Sequence, residues 1–204
     1  MQRNRPLVIG LLGGIGSGKS LVSSIFRKMG AEIIDADEIV RGLLKTGAVR
    51  RAYARAWGPG VLRGDGTIDP AAVARAVFGR PAQVRKLNRL IHPKVVREMR
   101  RRVRAAKRRV AVIDAPLLLE TRSERMCDVL VFVDAPRAQR IRRVRETRGW
   151  TAAELIRREA AQKPLSQKKN LADHVIRNDG PASKVRAQAR EVWGRILADC
   201  FQRG

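Results

Sequence analysis

The sequence is poor in the residues that hold many small proteins together. It has only two cysteines, and aromatic residues make up 4% of the chain. Two cysteines, Cys127 and Cys200, cannot form a disulfide framework, and their spacing does not match a CxxC metal motif. We therefore expect both to be packing residues in a reducing, cytoplasmic compartment. The core must be built mainly from Val, Ile, Leu and Ala, a composition that suits a buried parallel sheet.

Long apolar runs are also lacking. The first apolar run, Leu7 to Leu12, leads directly into Gly13-Gly14. It is too short for the core of a signal peptide or for a membrane span. We therefore expect no membrane partner, and the 204 residues are enough for one domain with an insertion or a mobile lid.

Acidic residues are few, and the formal net charge is +25. Such a charge is typical of proteins that bind nucleic acid, an anionic membrane or a polyanionic ligand. The arginines, however, are dispersed from Arg3 to Arg203, and no aromatic platform for stacking bases is evident. We interpret the charge as a solvated basic surface that favours the capture of phosphorylated ligands, and we expect a monomer without a nucleic-acid partner. A basic nucleic-acid-binding NTPase stays open as an alternative.

Short apolar runs alternate with helical patterns along the chain. This alternation predicts an α/β fold whose parallel sheet is covered on both faces. A long, mostly helical stretch between the second and third runs implies an insertion. Within it, Asp69-Pro70 has the pattern of an N-cap followed by Pro at the first helical position. The five predicted strands are Leu7 to Leu12, Glu32 to Ile34, Val110 to Ile113, Val129 to Val133 and His174 to Ile176.

A glycine-rich motif follows the first predicted strand. Residues 13–20, GGIGSGKS, fit the pattern G-x-x-x-x-G-K-[ST] and precede an amphipathic helix. Such a loop turns backbone N–H groups toward phosphate oxygens at a helix N-terminus. Lys19 would reach the β and γ phosphates of ATP, and the Ser20 hydroxyl would ligate Mg²⁺. The predicted ATP-binding residues here are Gly14, Ile15, Gly16, Ser17, Gly18, Lys19, Ser20 and Leu21.

Two aspartates, Asp35 and Asp37, end the second predicted strand. The carboxyl ends of such strands face the ligand crevice of an α/β sheet. In strand geometry the two carboxylates would face opposite sides, so only one could aim at an acceptor. Asp37 could orient an attacking hydroxyl and accept its proton. It could equally cap a helix that begins near Glu38. Asp114, at the end of the third strand, could hold a Mg²⁺-bound water.

The sequence resembles the dephospho-CoA kinase family over about residues 7 to 197. The P-loop alone would be generic, but its combination with the other motifs in this order is far more specific. The further matching segments are residues 34–37 (IDAD), 65–69 (DGTID), 90–93 (LIHP), 116–120 (PLLLE), Gln162 and residues 175–180 (VIRNDG).

The resemblance implies transfer of a phosphoryl group from ATP to the ribose 3′-hydroxyl of dephospho-CoA, the step that forms coenzyme A. It implies a P-loop NTPase three-layer sandwich with a five-stranded parallel sheet, formed as one domain over residues 1–204. Within it lie a helical acceptor-binding insertion at residues 62–104 and a lid at 137–170. Another small-molecule P-loop kinase, of nucleoside, nucleotide or shikimate type, is the alternative within the enzyme class.

The resemblance also implies roles for particular residues. By position Asp37 matches the catalytic base, and Arg143 matches a catalytic lid arginine. His92 would line the acceptor pocket, although it could instead be a helix-starting residue held by Pro93. Asn178 and Gly180 fall on the loop that forms the adenine-side wall.

The predicted lid departs from the family's pattern. The usual Arg-Asp pair appears as Thr147-Arg148, and Arg148 is the expected substitute for phosphate neutralisation. Most other arginines between 137 and 148 are expected on a solvated helix face.

Overall fold

Five parallel strands form one sheet in the computed structural model, which describes residues 5–77 and 79–201. The strand order is β2-β3-β1-β4-β5, so the strand that leads into the glycine-rich loop is central. The sequence prediction is confirmed, because each strand begins where expected and extends one residue further. The strands are β1 (Leu7–Gly13), β2 (Glu32–Asp35), β3 (Val110–Asp114), β4 (Val129–Asp134) and β5 (His174–Arg177).

α-Helices connect the strands, as is usual for parallel pairing, except between β3 and β4, where the connection contains only a 3₁₀ turn. Two short 3₁₀ turns, Pro59–Val61 and Ser123–Met126, supplement them. The α-helices are α1 (Lys19–Lys28), α2 (Ala36–Leu44), α3 (Gly47–Trp57), α4 (Pro70–Val77), α5 (Pro81–Ala105), α6 (Arg137–Arg148), α7 (Ala152–Glu159), α8 (Leu165–Asn170) and α9 (Ala182–Phe201).

The chain divides into two compact units. The first contains the residues up to Asp35 and those from Arg101 onward, and therefore holds the whole sheet. The second is Ala36–Arg100. The predicted insertion, residues 62–104, falls mostly within this second unit, which begins earlier in the chain.

In the first unit, α1 and α9 pack on one face of the sheet. Leu7, Ile9 and Leu11 of β1 belong to this core. The rings of Phe26 and Trp193 meet there with their centroids 5.3 Å apart. Because strand side chains alternate, Gly10 belongs to the other face. A Cβ at Gly10 would lie 2.7 Å from the sulfur of Cys127, so the glycine permits a close approach.

The second unit has a small core of its own around α3. The Thr46 hydroxyl caps this helix by accepting a hydrogen bond from the Val49 N–H. Tyr53 and Trp57 pack edge to face at 5.2 Å. The indole N–H of Trp57 donates to Gln83 at 2.9 Å, which links α3 to α5.

Two sequence expectations in the second unit have different outcomes. Asp69 is confirmed as a cap of α4, because its carboxylate accepts a hydrogen bond from the Ala71 N–H at 2.9 Å. The idea that Pro93 starts a helix at His92 is wrong, since α5 runs through both residues. Proline inside a helix removes one backbone donor, and its neighbours in α5 maintain the helix despite that loss.

Among residues 5–77 and 79–201, no helix combines the length and the hydropathy that crossing a bilayer demands.

Because the space around Gly10 is tightly packed, we expect Gly10→Ala to lower the free energy of unfolding. The added methyl would meet Leu118 and Leu130 at 2.8 Å as well as Cys127, and overpacking of this kind costs about 1–3 kcal/mol. Gly194→Ala is the matched control, because Gly194 is exposed in α9 and a Cβ there meets nothing within 4 Å. Urea unfolding should show a loss for the first variant and a small gain for the second. Equal stability of the two variants would contradict this packing.

Burial raises the pKa of Cys127 to about 12, with Asp128 and Glu124 adding to the effect. An unfolded thiol loses its proton near pH ~8.5. Between these values the folded chain keeps a proton that the unfolded chain releases, so the free energy of unfolding falls as pH rises.

We therefore expect Cys127→Ala to lose less stability than the wild type between about pH 7.5 and about pH 10 in urea titrations. Gly194→Ala, which changes no ionisable group, serves as the control and should lose as much as the wild type. An identical loss in all three proteins would show that Cys127 does not contribute to this pH dependence.

Candidate active site

The glycine-rich loop lies between β1 and α1, at the carboxyl edge of the sheet. Three of its glycines have positive φ angles, including Gly18 at 96°. A Cβ at Gly18 would lie only 2.1 Å from the side-chain nitrogen of Asn178, so no larger residue fits there. This geometry leaves N–H groups at the start of α1 available to hold a phosphate.

Lys19 is the first residue of α1, and its side chain points back toward the loop that precedes the helix. Its ammonium donates to the carbonyls of Gly13 and Gly14 at 3.0 and 3.1 Å. These contacts keep the positive charge beside the loop, as the predicted role in phosphate binding requires.

Oxygen ligands for a divalent cation occur at the same edge of the sheet. Asp114 ends β3 and is in register with Leu11 of β1 and with Asp35 of β2. Ser20 is exposed in the first turn of α1. A hydroxyl and carboxylates are ligands that suit Mg²⁺. The described ranges contain no group of three or more His, Cys, Asp or Glu side chains that could hold a metal. This donor set fits Mg²⁺ held through few protein ligands together with phosphates.

Arg143 and Asn178 hold the outer side of the loop. Asn178 is buried and donates to the Ser17 carbonyl at 2.7 Å. The Arg143 guanidinium donates to the carbonyl of Ser17 at 3.3 Å and to the side-chain oxygen of Asn178 at 3.0 Å. Burial, and then the charge of Arg142, lowers the pKa of Arg143. Two residues far apart in sequence are thus brought together on one stretch of backbone.

The remaining predicted nucleotide-binding residues flank this cluster. Ile15, Gly16 and Leu21 are partly buried on the loop and the first turn of α1. Gly180 is exposed in the turn before α9, where Lys184 binds the carboxylate of Asp179 at 3.0 Å.

Sequence reasoning missed Arg140, which lies one turn before Val144 in α6. Arg140 was expected on a solvated face, yet it is buried, whereas Arg137, Arg142 and Arg145 are exposed as predicted. Its guanidinium pairs with Glu159, the last residue of α7. A signal was available in the sequence, because the apolar Val144 four residues later lies on the same helix face.

A second ion pair with a buried cation joins α8 to the loop after β3. The ammonium of Lys168 lies 3.1 Å from the carboxylate of Glu120 and donates to Gln162 at 3.0 Å. The same carboxylate accepts from the Lys163 N–H at 2.8 Å. Glu120 and Gln162 occur among the segments of the resemblance, but their partner Lys168 was not predicted.

Arg148, the expected substitute for a lid arginine, stacks on Trp150. Its guanidinium lies 4.8 Å from the ring centroid, and that of Arg158 lies 4.1 Å from the same ring. Both are cation–π contacts. Thr147 donates its hydroxyl to the Arg143 carbonyl at 2.7 Å.

Asp37 and His92 belong to the second unit. Helix α2 begins at Ala36, so Asp37 lies exposed in its first turn. The expectation that strand geometry continues through Asp37 is wrong, and so is a cap position before Glu38. His92 is partly buried in the interior of α5, and burial lowers its pKa.

A glycine-rich loop that ends in Gly-Lys-Ser after the central strand of a parallel sheet defines a nucleotide-binding class of protein. Together with the similarities that follow, these features make the chain a P-loop kinase. The sequence model of the family described as dephospho-CoA kinase matches residues 7–184. The chain belongs to this dephospho-CoA kinase family.

Individual relatives and solved structures are also similar to this chain. The chain is 38% identical to a dephospho-CoA kinase from Corynebacterium glutamicum over 196 residues, which covers 94% of this chain and 98% of the relative. The crystal structure of TT1252 from Thermus thermophilus has a TM-score of 0.81 at 29% identity, covering 96% and 98% of the two chains. A dephospho-CoA kinase from Campylobacter jejuni has a TM-score of 0.66 at 18% identity, covering 93% and 96%, and shares the fold.

Because Asn178 helps to hold the phosphate-binding loop, we expect Asn178→Ala to bind ATP more weakly. The substitution removes one donor to the Ser17 carbonyl and one acceptor for Arg143, and losing these two hydrogen bonds costs about 1–3 kcal/mol. Calorimetric titration with ATP should give a severalfold higher Kd. Asn170→Ala, exposed at the end of α8, is the control and should bind as the wild type does. Unchanged affinity in Asn178→Ala would show that this contact does not shape the loop.

Proposed function

We propose that this protein transfers the γ-phosphoryl group of ATP to the ribose 3′-hydroxyl of dephospho-CoA. The observation that carries the proposal is the family match over residues 7–184. The chain also has the glycine-rich loop that such chemistry needs, with Lys19 placed against it. We expect the protein to act in the cytoplasm.

The loop would bind the triphosphate of ATP. Its N–H groups and the start of α1 supply fixed partial charges, and Lys19 supplies a full positive charge. Ser20 would ligate Mg²⁺ directly, and Asp114 would hold one of its waters. When bound, the cation neutralises charge on the transferring phosphates.

Asp37 would orient the acceptor hydroxyl and take up its proton. Its carboxylate lies exposed in the first turn of α2, so an acceptor hydroxyl can reach it. Residues 62–104 would bind the acceptor, with His92 as one contact. Residues 137–170 would act as a lid that excludes water, which otherwise competes with the acceptor for the phosphoryl group.

The acceptor is tested by coupled ADP release with Mg·ATP. Dephospho-CoA should stimulate release strongly, whereas no acceptor, adenosine, shikimate and single-stranded RNA should not. Stimulation by shikimate or adenosine would assign a different small acceptor. Stimulation by RNA alone would revive the nucleic-acid interpretation of the basic charge.

Lys19→Ala should lower the rate of phosphoryl transfer on the order of a hundredfold or more, because a preorganised charge at the phosphate is removed. Lys28→Ala, at the exposed far end of α1, is the matched control. The measurement is kcat/KM for ATP in the coupled assay. Wild-type turnover in Lys19→Ala would rule out the assigned phosphate site.

Asp37→Asn should lower kcat about 10²–10⁴-fold while ATP affinity stays close to that of the wild type, because a general base acts on the acceptor hydroxyl. Glu38→Gln is the control, since it removes a neighbouring exposed carboxylate of α2. Single-turnover measurements with saturating ATP separate the chemical step from binding. If both variants lost the same small amount of activity, Asp37 would have no special role as a base.

A further inference from the structure

Arg140 carries a buried charge beside the phosphate-binding loop. The residue is 5% exposed. Its guanidinium pairs with Glu159 of α7, and the same nitrogen lies 3.5 Å from the Ile15 carbonyl. Among the described residues its Nε atom is buried without a hydrogen-bond partner. One side chain of α6 therefore touches both the loop and the end of α7.

The approach of α6 to the loop is close. A Cβ at Gly14 would lie 2.8 Å from the Arg140 guanidinium, and a Cβ at Gly16 would lie 2.8 Å from the Arg140 carbonyl. The position of Arg140 is thus fixed by the backbone of the loop. A change in the loop's shape at Gly14 or Gly16 would therefore displace the guanidinium that binds Glu159.

A purely stabilising role explains this pair poorly. Removing the Arg140 charge from water is costly, and apolar residues of similar volume often stabilise a protein as well as a buried ion pair does, or better. A charged hydrogen bond is directional. This pair therefore fixes the direction and register of α7 more narrowly than an apolar contact would. An anionic ligand in the loop would also draw the guanidinium toward the loop.

We propose that Arg140 is a positioning residue that holds α7 against the phosphate-binding loop through Glu159, so that transfer to the acceptor prevails over hydrolysis of ATP. This inference rests on the proposed kinase function. Arg140 acts through α7 and need not touch the substrate. Removing either partner should free α7 and admit water.

The first test compares Arg140→Gln, Glu159→Gln and the double variant with the wild type. We measure CoA formed and ADP released in the same reaction, and the ratio of ADP to CoA reports wasted ATP. We expect the wasted share to rise about tenfold in each single variant, which is less than the roughly hundredfold loss of rate that a full misplacement of about 1 Å can cause. The double variant should be no worse than Arg140→Gln, because both changes break one interaction.

The matched control is Arg142→Gln, which removes a solvent-exposed arginine from the same helix. Arg142 lies 3.8 Å from Glu146, with side chains 70% and 62% exposed, and such pairs contribute little. Its ADP to CoA ratio should equal that of the wild type. An unchanged ratio in folded Arg140→Gln and Glu159→Gln would overturn the proposal. If Arg140→Gln fails to fold, Glu159→Gln alone decides, since that carboxylate is partly exposed.

The second test does not depend on the acceptor. Hydrogen exchange of residues 152–159 is followed with and without a non-hydrolysable ATP analogue. Binding should protect these amides in the wild type and in Arg142→Gln. The protection gained should fall about tenfold in Glu159→Gln, as expected for a coupling of ordinary strength. Equal protection in Glu159→Gln and the wild type, or none in the wild type, would overturn the proposal. Intact coupling without dephospho-CoA-dependent turnover would support Arg140 and refute only the proposed acceptor.

Discussion

A loop that turns its N–H groups toward a phosphate must turn its carbonyls elsewhere, and those carbonyls need donors. In this protein the donors are side chains. Lys19 serves Gly13 and Gly14, and Asn178 and Arg143 serve Ser17. The shape of the loop therefore depends on residues from α6 and from the turn after β5 as much as on its own glycines.

This constraint explains why the elements around the loop pack so closely. Asn178 and Arg140 occupy the space that side chains at Gly18 and Gly14 would need. The backbone of Asn178 is itself tied to the end of β4, because its N–H donates to the Asp134 carbonyl at 2.6 Å. Strands β4 and β5 lie on the same side of β1, so the residues that follow them reach the loop from that side of the sheet.

The sequence was sufficient to predict features that depend on residues close together in the chain. Apolar runs located the strands to within one residue, and the Asp69-Pro70 pair located the start of α4. The glycine spacing located the loop, because the motif consists of residues that are adjacent in the sequence. Local patterns were less reliable where packing decides, as in α5, which continues through Pro93 because tertiary contacts outweigh the lost hydrogen bond.

Contacts between distant residues could not be predicted in this way. Arg140 and Ile15 are separated by 125 residues, and Asn178 and Ser17 by 161. In a helix crowded with arginines, charge alone does not say which one turns inward. Arg140 and Lys168 differ from their solvated neighbours in the partners that they meet in the fold, Glu159 for the first and Glu120 for the second.

The most direct test of the account is the identity of the product made from Mg·ATP and dephospho-CoA. Mass spectrometry should find an acceptor heavier by one phosphoryl group, and phosphorus NMR should show the new phosphate coupled to the ribose H3′. A product phosphorylated elsewhere would contradict the proposed acceptor geometry. Consumption of ATP with dephospho-CoA left unmodified would contradict the kinase function itself.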